Sequence, residues 1–513
     1  MFYKKSTFHI KPIFLSLFFL LPISSHFCSA FDFFLFQKSI SVVQDSKSEY
    51  VIVVAKDAIP SERFAAEELS NHLEKIFSCS FPIIQESSEK NELPAIYLGN
   101  TLFAQKNSFK LAEFTVEEWL LQTVDKNIIL AGGRPRGTLY AVYEFLEKIL
   151  DCQWFDYYNE HIPKRKDLKL SPFNIRAKAV FKDRHIYSGL TDSDKDQLLR
   201  LRNKDTRPKA AKYGNGYNIG THTFWTYSRK FPEDKPEFLA LNDAGERPVS
   251  KSGHGPGQIC LTNPGARAAV LKDLKERIEV DLQKHKASKD GRELTYSFGI
   301  TQNDSHWICK CPDCQAIKKA GNADSAVLLD FINYLAENIK EQYPDVLLET
   351  WAYANTTKAP ENIKPADNVL IRVVQLNGEW AGDARRAGDP DWKEETFPDF
   401  FRAKRHRTNK AALEQFEQWA AISKHLGVWD YWVLYGEAFP TPYINLRALA
   451  DNLKLYEKLG LERFFVENEI GPLSSFYTLK CWAGWKLMQD PQQNLNKLVD
   501  VFMPAYYGNA AKE

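Results

Sequence analysis

The sequence predicts a two-part α/β protein, with a small N-terminal α/β domain over residues 39–170 followed by a (β/α)8 barrel over residues 180–490. Three observations carry this expectation. A chain of 513 residues exceeds what one ordinary hydrophobic core organises, so more than one domain is expected. After Ser171-Pro172, strand-like runs alternate with stretches of helical spacing, which is the pattern of parallel strands joined by helices. Residues 295–304 then alternate small side chains (Ser297, Gly299, Thr301, Asn303) with bulky ones (Tyr296, Phe298, Ile300). That period of two suits a barrel strand whose small face points inward and whose large face lies under helices.

The chain opens with Lys4, Lys5 and Lys11 around an apolar run over residues 13–23 that ends near Cys28-Ser-Ala30. Residues 1–30 read as an export signal, and the run is too short for a comfortable bilayer span. Secreted or periplasmic placement and the absence of a transmembrane segment are the corresponding expectations. In the first domain, residues 50–55 form a β-branched run, and Ser61 can cap a helix with Phe64, Ala65, Leu69, Leu73 and Ile76 on one face. Residues 95–98, 119–124 and 128–130 read as strands, the last two joined by a turn at Asp125-Lys-Asn127. A second helix follows Gly137. The glycine-rich Ala131-Gly-Gly-Arg-Pro-Arg-Gly137 lacks the ending of a phosphate loop and the dinucleotide spacing, so it reads as a turn into that helix.

In the barrel, strand-like runs recur at 184–188, 217–220, 258–263, 294–301, 346–353, 368–376, 427–434 and 463–468. Helical spacing covers 264–282, 323–343, 411–426, 446–459 and 474–488. The helix of the second repeat is weak, and a long loop over 221–257 replaces a short connection; such loops shape clefts. Barrel chemistry sits at the C-terminal ends of strands. That criterion selects Asp304 after strand four, Glu379 after strand six, Asp430 in strand seven and Glu469 ending strand eight, with Glu349 and Glu467 nearby.

Net charge of +1 gives no reason to expect nucleic acid or an acidic membrane surface as partner. The 12 Trp and 22 Tyr, several among polar residues, fit flat apolar ligand faces such as sugar rings as well as aromatic cores.

Several motifs together resemble the bacterial family known as domain of unknown function 4838, regarded as glycoside hydrolases related to hexosaminidase-like and α-glucuronidase-like barrels. They are Ala131-Gly-Gly-Arg-Pro-Arg-Gly-Thr-Leu-Tyr-Ala-Val-Tyr-Glu-Phe-Leu146, Cys152-Gln-Trp-Phe155, His222-Thr-Phe224, Pro236-Glu-Phe-Leu-Ala-Leu241, Cys260-Leu-Thr-Asn-Pro264, Gln302-Asn-Asp304, Cys309-Lys-Cys-Pro-Asp-Cys314 and Trp429-Asp-Tyr431. The resemblance covers nearly the whole chain after residue 30. It implies an accessory domain before a catalytic barrel, a carbohydrate substrate and hydrolysis of O-glycosyl bonds. It also implies that residues 491–513 begin a C-terminal helical segment longer than the chain shown.

Glycoside hydrolysis uses one carboxyl as acid and usually a second as nucleophile or base, across the scissile bond. Asp304 is the first candidate and a loop-capping aspartate the alternative; Glu469, Asp430 and Glu379 follow. Asp430 can equally form a buried pair with an arginine such as Arg372. Hexosaminidase-like enzymes that use the substrate acetamido group show Asp-Glu after strand four, whereas Asp304 precedes Ser305 here. Arg184, His222, Trp225, Asn303, Trp307, Trp351, Tyr353, Trp429 and Trp432 are candidates for substrate binding, Arg184 as a clamp on an acidic sugar. Each also has a structural reading, as packing, pairing or a satisfied polar group. Of the eight cysteines, seven remain beyond Cys28, an odd number that leaves a free thiol or a metal site. Cys309, Cys311 and Cys314, with His306 or Cys260, can hold a structural zinc ion; a disulfide plus a free thiol is the competing reading. No cofactor is required for the chemistry. The rival to an enzyme is a non-catalytic glycan-binding protein on the same barrel.

Overall fold

The computed structural model describes residues 39–87, 91–156, 158–188, 220–249, 257–287, 297–374, 399–432, 445–468 and 476–512. The expected export signal, Glu379 and Glu469 lie outside these residues. Among the described residues, no helix is long and apolar enough to cross a membrane.

The N-terminal lobe begins with β1 (Ile40–Val43), β2 (Val51–Val54), helix α1 (Pro60–Phe77), β3 (Ile83–Gln85), β4 (Ala95–Leu98) and a short helix α2 (Leu102–Lys106). It continues with β5 (Trp119–Val124), β6 (Asn127–Gly132), α3 (Gly137–Glu144), β7 (Gln153–Trp154), β8 (Glu160–His161), β9 (Leu168–Leu170) and β10 (Asn174–Ala177). Six strands form a mixed sheet in the order β10-β5-β6-β4-β2-β3. Continuous apolar stretches such as Val-Ile-Val-Val in β2 are buried throughout, as a sheet covered on both faces requires. Helix α1 starts one residue before Ser61; the hydroxyl of Ser61 donates to the Pro135 carbonyl instead of capping the helix. Ser61 therefore pins α1 to the turn before α3.

The second lobe contains β11 (Asp183–Ser188), α4 (Thr223–Lys230), α5 (Pro264–Ala287), β12 (Ser297–Gly299), α6 (Pro312–Gly321), α7 (Asp324–Glu337), β13 (Leu347–Ala352) and β14 (Val369–Val374). After these come α8 (Asp399–Ile422), β15 (His425–Tyr431), α9 (Leu446–Lys458), β16 (Arg463–Asn468), α10 (Tyr477–Gln489) and α11 (Leu495–Tyr507). Six strands form one all-parallel, curled barrel sheet in the order β11-β16-β15-β14-β13-β12. These are six of the eight expected strands. Of the other two, 217–219 lies outside the described residues, and Ile259 makes only an antiparallel bridge to Leu239. Gly220 nonetheless lies directly beside β12, because a Cβ on Gly299 would sit 2.4 Å from the Gly220 carbonyl oxygen.

Two further expectations change. The stretch 221–257 is not all loop, since α4 occupies its start. Residues 399–410 are helical although they lack an apolar stripe; Ala, Lys and Arg favour helix without one.

Alternation sorts every barrel strand into two faces. Ile186, Leu348, Ile371, Val373, Leu426, Val428, Phe464 and Val466 pack under the helices in the main core. The inward positions begin with charge: Arg372 Nε and Nη2 donate to the two carboxylate oxygens of Glu349 at 2.6 and 3.1 Å, and Arg463 Nη1 pairs with Asp183 at 2.8 Å. Arg372 thus pairs with Glu349 and not with Asp430, so Glu349 is committed to the barrel floor. Gly427 leaves room between the two arginines, with Arg372 Nη1 3.6 Å from where its Cβ would be. One residue pair further along, the inward positions turn aromatic.

Candidate active site at the barrel mouth

Above the ion pairs, Trp351, Tyr353, Val374, Trp429 and Phe465 form a separate buried cluster inside the sheet. Trp351 meets Trp429 edge-on at 5.0 Å between ring centroids, and Trp429 meets Phe465 at 4.2 Å. His185 stands edge-on to Phe465 at 5.0 Å. This aromatic floor separates the charged layer from the outer end of the strands.

The next inward positions are Tyr187, Tyr431 and Glu467, and Tyr187 is in register with Glu467. Tyr187 is 40% exposed and lies parallel to Phe465, with 6.4 Å between centroids and 19° between planes. Half-buried Glu467 accepts the indole N–H of Trp429 at 2.9 Å. On the opposite side, the Tyr353 hydroxyl donates to Oδ1 of half-buried Asp304. Burial raises the Tyr353 pKa, and the bond to Asp304 and the charge of Glu467 raise it further. The phenol therefore stays a donor, and a donated hydrogen bond favours the ionised form of Asp304. Asp304 and Glu467 accordingly face one aromatic floor from opposite edges.

Asp304 is held from behind. Gln258 grips its neighbour Asn303 twice: its Oε1 accepts the Asn303 amide at 3.1 Å, and its Nε2 donates to the Asn303 carbonyl at 3.1 Å and to Ser305 Oγ at 2.7 Å. Buried Asn303 donates to the Gly257 carbonyl at 2.7 Å, so its amide serves the loop and not the cleft. Gln302 donates to the Tyr353 carbonyl at 2.7 Å and to Thr356 Oγ1 at 3.0 Å. His222 has a left-handed backbone, φ +48°, which is uncommon for a residue with a side chain. Its Nδ1 lies 3.0 Å from the Gln302 carbonyl, and its ring stands edge-on to Trp351 at 5.1 Å. His222 therefore reaches the mouth from the second βα loop.

Other candidates fall elsewhere. Asp430 lies between inward Trp429 and Tyr431, so it points outward and is buried under α9 beside Tyr456. Burial raises its pKa to about 6, partly opposed by the Tyr431 amide, which donates to Oδ1 at 2.8 Å. Trp432, also outward, packs in the main core against Gly484. Arg184 points away from the cleft as well: its Nη2 donates to Glu117 of the N-terminal lobe at 2.6 Å and it is fully buried, so it cannot clamp a sugar. Trp225 sits half-buried on α4 beside Arg229, and Trp307 packs partly buried against the main core. The residues not singled out by sequence are Tyr187 and Gln258; β-strand alternation from His185 locates the first, and no local signal locates the second.

Sγ atoms of Cys260, Cys309, Cys311 and Cys314 converge within 4.8 Å of one another, all buried. The fourth member is Cys260; His306 is exposed.

A family model described as "Domain of unknown function (DUF4838)" matches residues 154–513. The chain belongs to this family. By sequence alone no curated protein matches it. Among solved structures, the DUF4838 chain is similar to a GH115 4-O-methyl-α-glucuronidase, BtGH115A, described as specific for decorated arabinogalactans. The TM-score is 0.52 at 13% identity, covering 92% of this chain and 61% of that one. The chain thus spans about 61% of that enzyme's length. A GH20 β-N-acetylhexosaminidase from Streptomyces coelicolor aligns with TM-score 0.45 at 12% identity, over 93% and 92% of the two chains. At 13% identity the likeness to the α-glucuronidase is one of fold alone: a curled parallel barrel sheet behind a small α/β lobe.

Proposed function

We propose that this protein is an exported glycoside hydrolase, acting on glycans or oligosaccharides with Asp304 and Glu467 as its carboxylate pair. The observation that carries this reading is their placement: two half-buried carboxylates on opposite edges of an aromatic floor at the C-terminal end of a parallel barrel sheet. Such a floor suits the apolar face of a pyranose ring, and exposed Tyr187 extends it outward. His222 and the Tyr353 hydroxyl supply polar contacts for ring hydroxyls.

Tyr353 donates to Asp304 and favours its carboxylate, so Asp304 acts as nucleophile or base, or stabilises the oxocarbenium-like charge. Glu467, which accepts the Trp429 indole N–H, is the second carboxyl of the pair and takes the remaining role of protonating the leaving oxygen. Ser305 beside Asp304 leaves no adjacent Asp-Glu pair to orient an acetamido group, so the substrate's own amide is not invoked.

The test is hydrolysis of a panel of aryl glycosides and plant or host glycans by wild type, Asp304→Asn, Glu467→Gln and Glu469→Gln, with folding checked by circular dichroism. Turnover in wild type, lost by at least ~100-fold in Asp304→Asn and Glu467→Gln, is the expected result. Loss in Glu469→Gln with Glu467→Gln active would move the acid to Glu469. Glycan binding without turnover in wild type would replace the enzyme by a binding protein.

A further inference from the structure

Outside the barrel mouth, one cluster of reactive side chains has no part in the chemistry above. We infer that Cys260, Cys309, Cys311 and Cys314 form a tetrathiolate site for one zinc ion, which ties the loop carrying Asp304 to the segment preceding α5.

Geometry is the first argument. Cys260 Sγ lies 3.7 Å from Cys311 Sγ and 3.7 Å from Cys309 Sγ, and all four sulfurs fall within 4.8 Å of one another. A tetrahedron with Zn–S bonds of about 2.3 Å has edges of about 3.8 Å, which these separations match. A disulfide requires about 2.05 Å, so any pair would have to close well over an ångström and leave two thiols behind. Four sulfurs around a common centre suit a soft divalent ion better than one covalent bond.

The surroundings favour thiolates. The Leu241 amide donates to Cys309 Sγ at 3.2 Å, and the Thr262 hydroxyl lies 3.2 Å from Cys314 Sγ. Cys311 is the N-cap of α6, Pro312 opens the helix and Cys314 lies in its first turn, so the positive end of a ten-residue helix faces the cluster. Binding converts four thiols to thiolates: Zn2+ enters, four protons leave, and the product carries a charge of −2. The amide and the helix terminus are placed against that charge.

Placement gives the ion its consequence. Gln258, two residues before Cys260, grips Asn303 and Ser305, while Cys309, five residues after Asp304, begins the run to Cys314. The ion therefore closes the loop at its far end while Gln258 holds its near end, with Asp304 and Trp307 between.

The decisive measurement is metal analysis of reduced, purified full-length protein, followed by cobalt substitution. The expected result is one zinc per chain, with Cys311→Ser and Cys314→Ser losing it and Cys79→Ser and Cys481→Ser keeping it. The cobalt form should show the intense sulfur-to-metal charge-transfer and visible bands of a tetrahedral tetrathiolate. Chelation of wild type should speed hydrogen exchange across 303–309, a readout that stands even where a cysteine variant fails to fold and whatever the reaction proves to be. Folded protein without zinc after growth with added zinc, stoichiometric iron in its place, or a disulfide among the four cysteines would overturn the assignment.

Discussion

Consider the substitution Asp430→Asn. The carboxyl is 4% exposed beneath α9, and burial raises its pKa from 3.8 to about 6. Because the folded value lies above the unfolded one, the native state binds the proton more tightly, and stability falls as pH rises. The loss begins near pH 3.8 and is complete somewhat above pH 6. At about 1.4 kcal/mol per pH unit, the difference corresponds to about 3 kcal/mol of destabilisation at pH 7.5. Asparagine keeps an acceptor for the Tyr431 amide and removes the charge. Its extra buried N–H costs about 1 kcal/mol, so Asp430→Asn should be about 2 kcal/mol more stable than wild type at pH 7.5. Near pH 4, where about 0.6 kcal/mol of the charge penalty is still present, the sign should reverse to a loss of about 0.5 kcal/mol. Urea denaturation from pH 4 to 8, with glycoside turnover assayed alongside, checks both the slope and the role. Stability of the variant parallel to wild type across that range would refute the buried-carboxyl argument. Lost turnover in a variant that folds would put Asp430 in the chemistry.

Tyr353→Phe removes the phenol that donates to Asp304, so the acidic limb of kcat/KM against pH should move up; an unmoved limb would separate the phenol from the reacting carboxylate. Arg372→Met leaves Glu349 as a buried charge and should cost about 3–5 kcal/mol by denaturant titration, most of it recovered in the Arg372→Met/Glu349→Leu pair. A single-variant loss no larger than that of the pair would deny the ion pair its place in the floor. Gly299→Ala drives a Cβ to 2.4 Å from the Gly220 carbonyl oxygen and should destabilise by about 3 kcal/mol or more; a neutral outcome by thermal denaturation would mean that residue 220 does not lie beside β12.

Much of the barrel was legible because strand alternation and helical spacing are local. The six strands of the curled sheet fall on runs read from sequence, and Thr301, Ser297 and Gly299 occupy the small inward face that their size predicts. The same alternation also assigns Asp430 and Arg184 outward, since each neighbours an inward aromatic ring. Aromatic surroundings are common to a cleft and to a core, and that likeness hid the difference. The pairing of Arg372 with Glu349 depends on the register of adjacent strands, which no single strand encodes. Cys260 is 49 positions from Cys309, and only the folded loops bring their sulfurs together. Glu467 shares a face with Phe465, yet its partner is an indole on the neighbouring strand, so sequence alone did not separate it from Glu469.

Glu117 accepts from Arg136 of its own lobe at 2.8 Å and from Arg184 of the barrel at 2.6 Å, all three buried. Lys486 on α10 reaches Glu147 at 2.5 Å, and Tyr506 on α11 donates to Asp156 at 2.7 Å. Severing the chain between β10 and β11 would strand a desolvated cation on the barrel and carboxylates on the other fragment, a cost of several kcal/mol. Neither piece is therefore a cassette that recombination can lift out whole. A graft that gives this barrel a new N-terminal partner must bring its own counterpart to Glu117, and the two lobes should unfold in a single calorimetric transition.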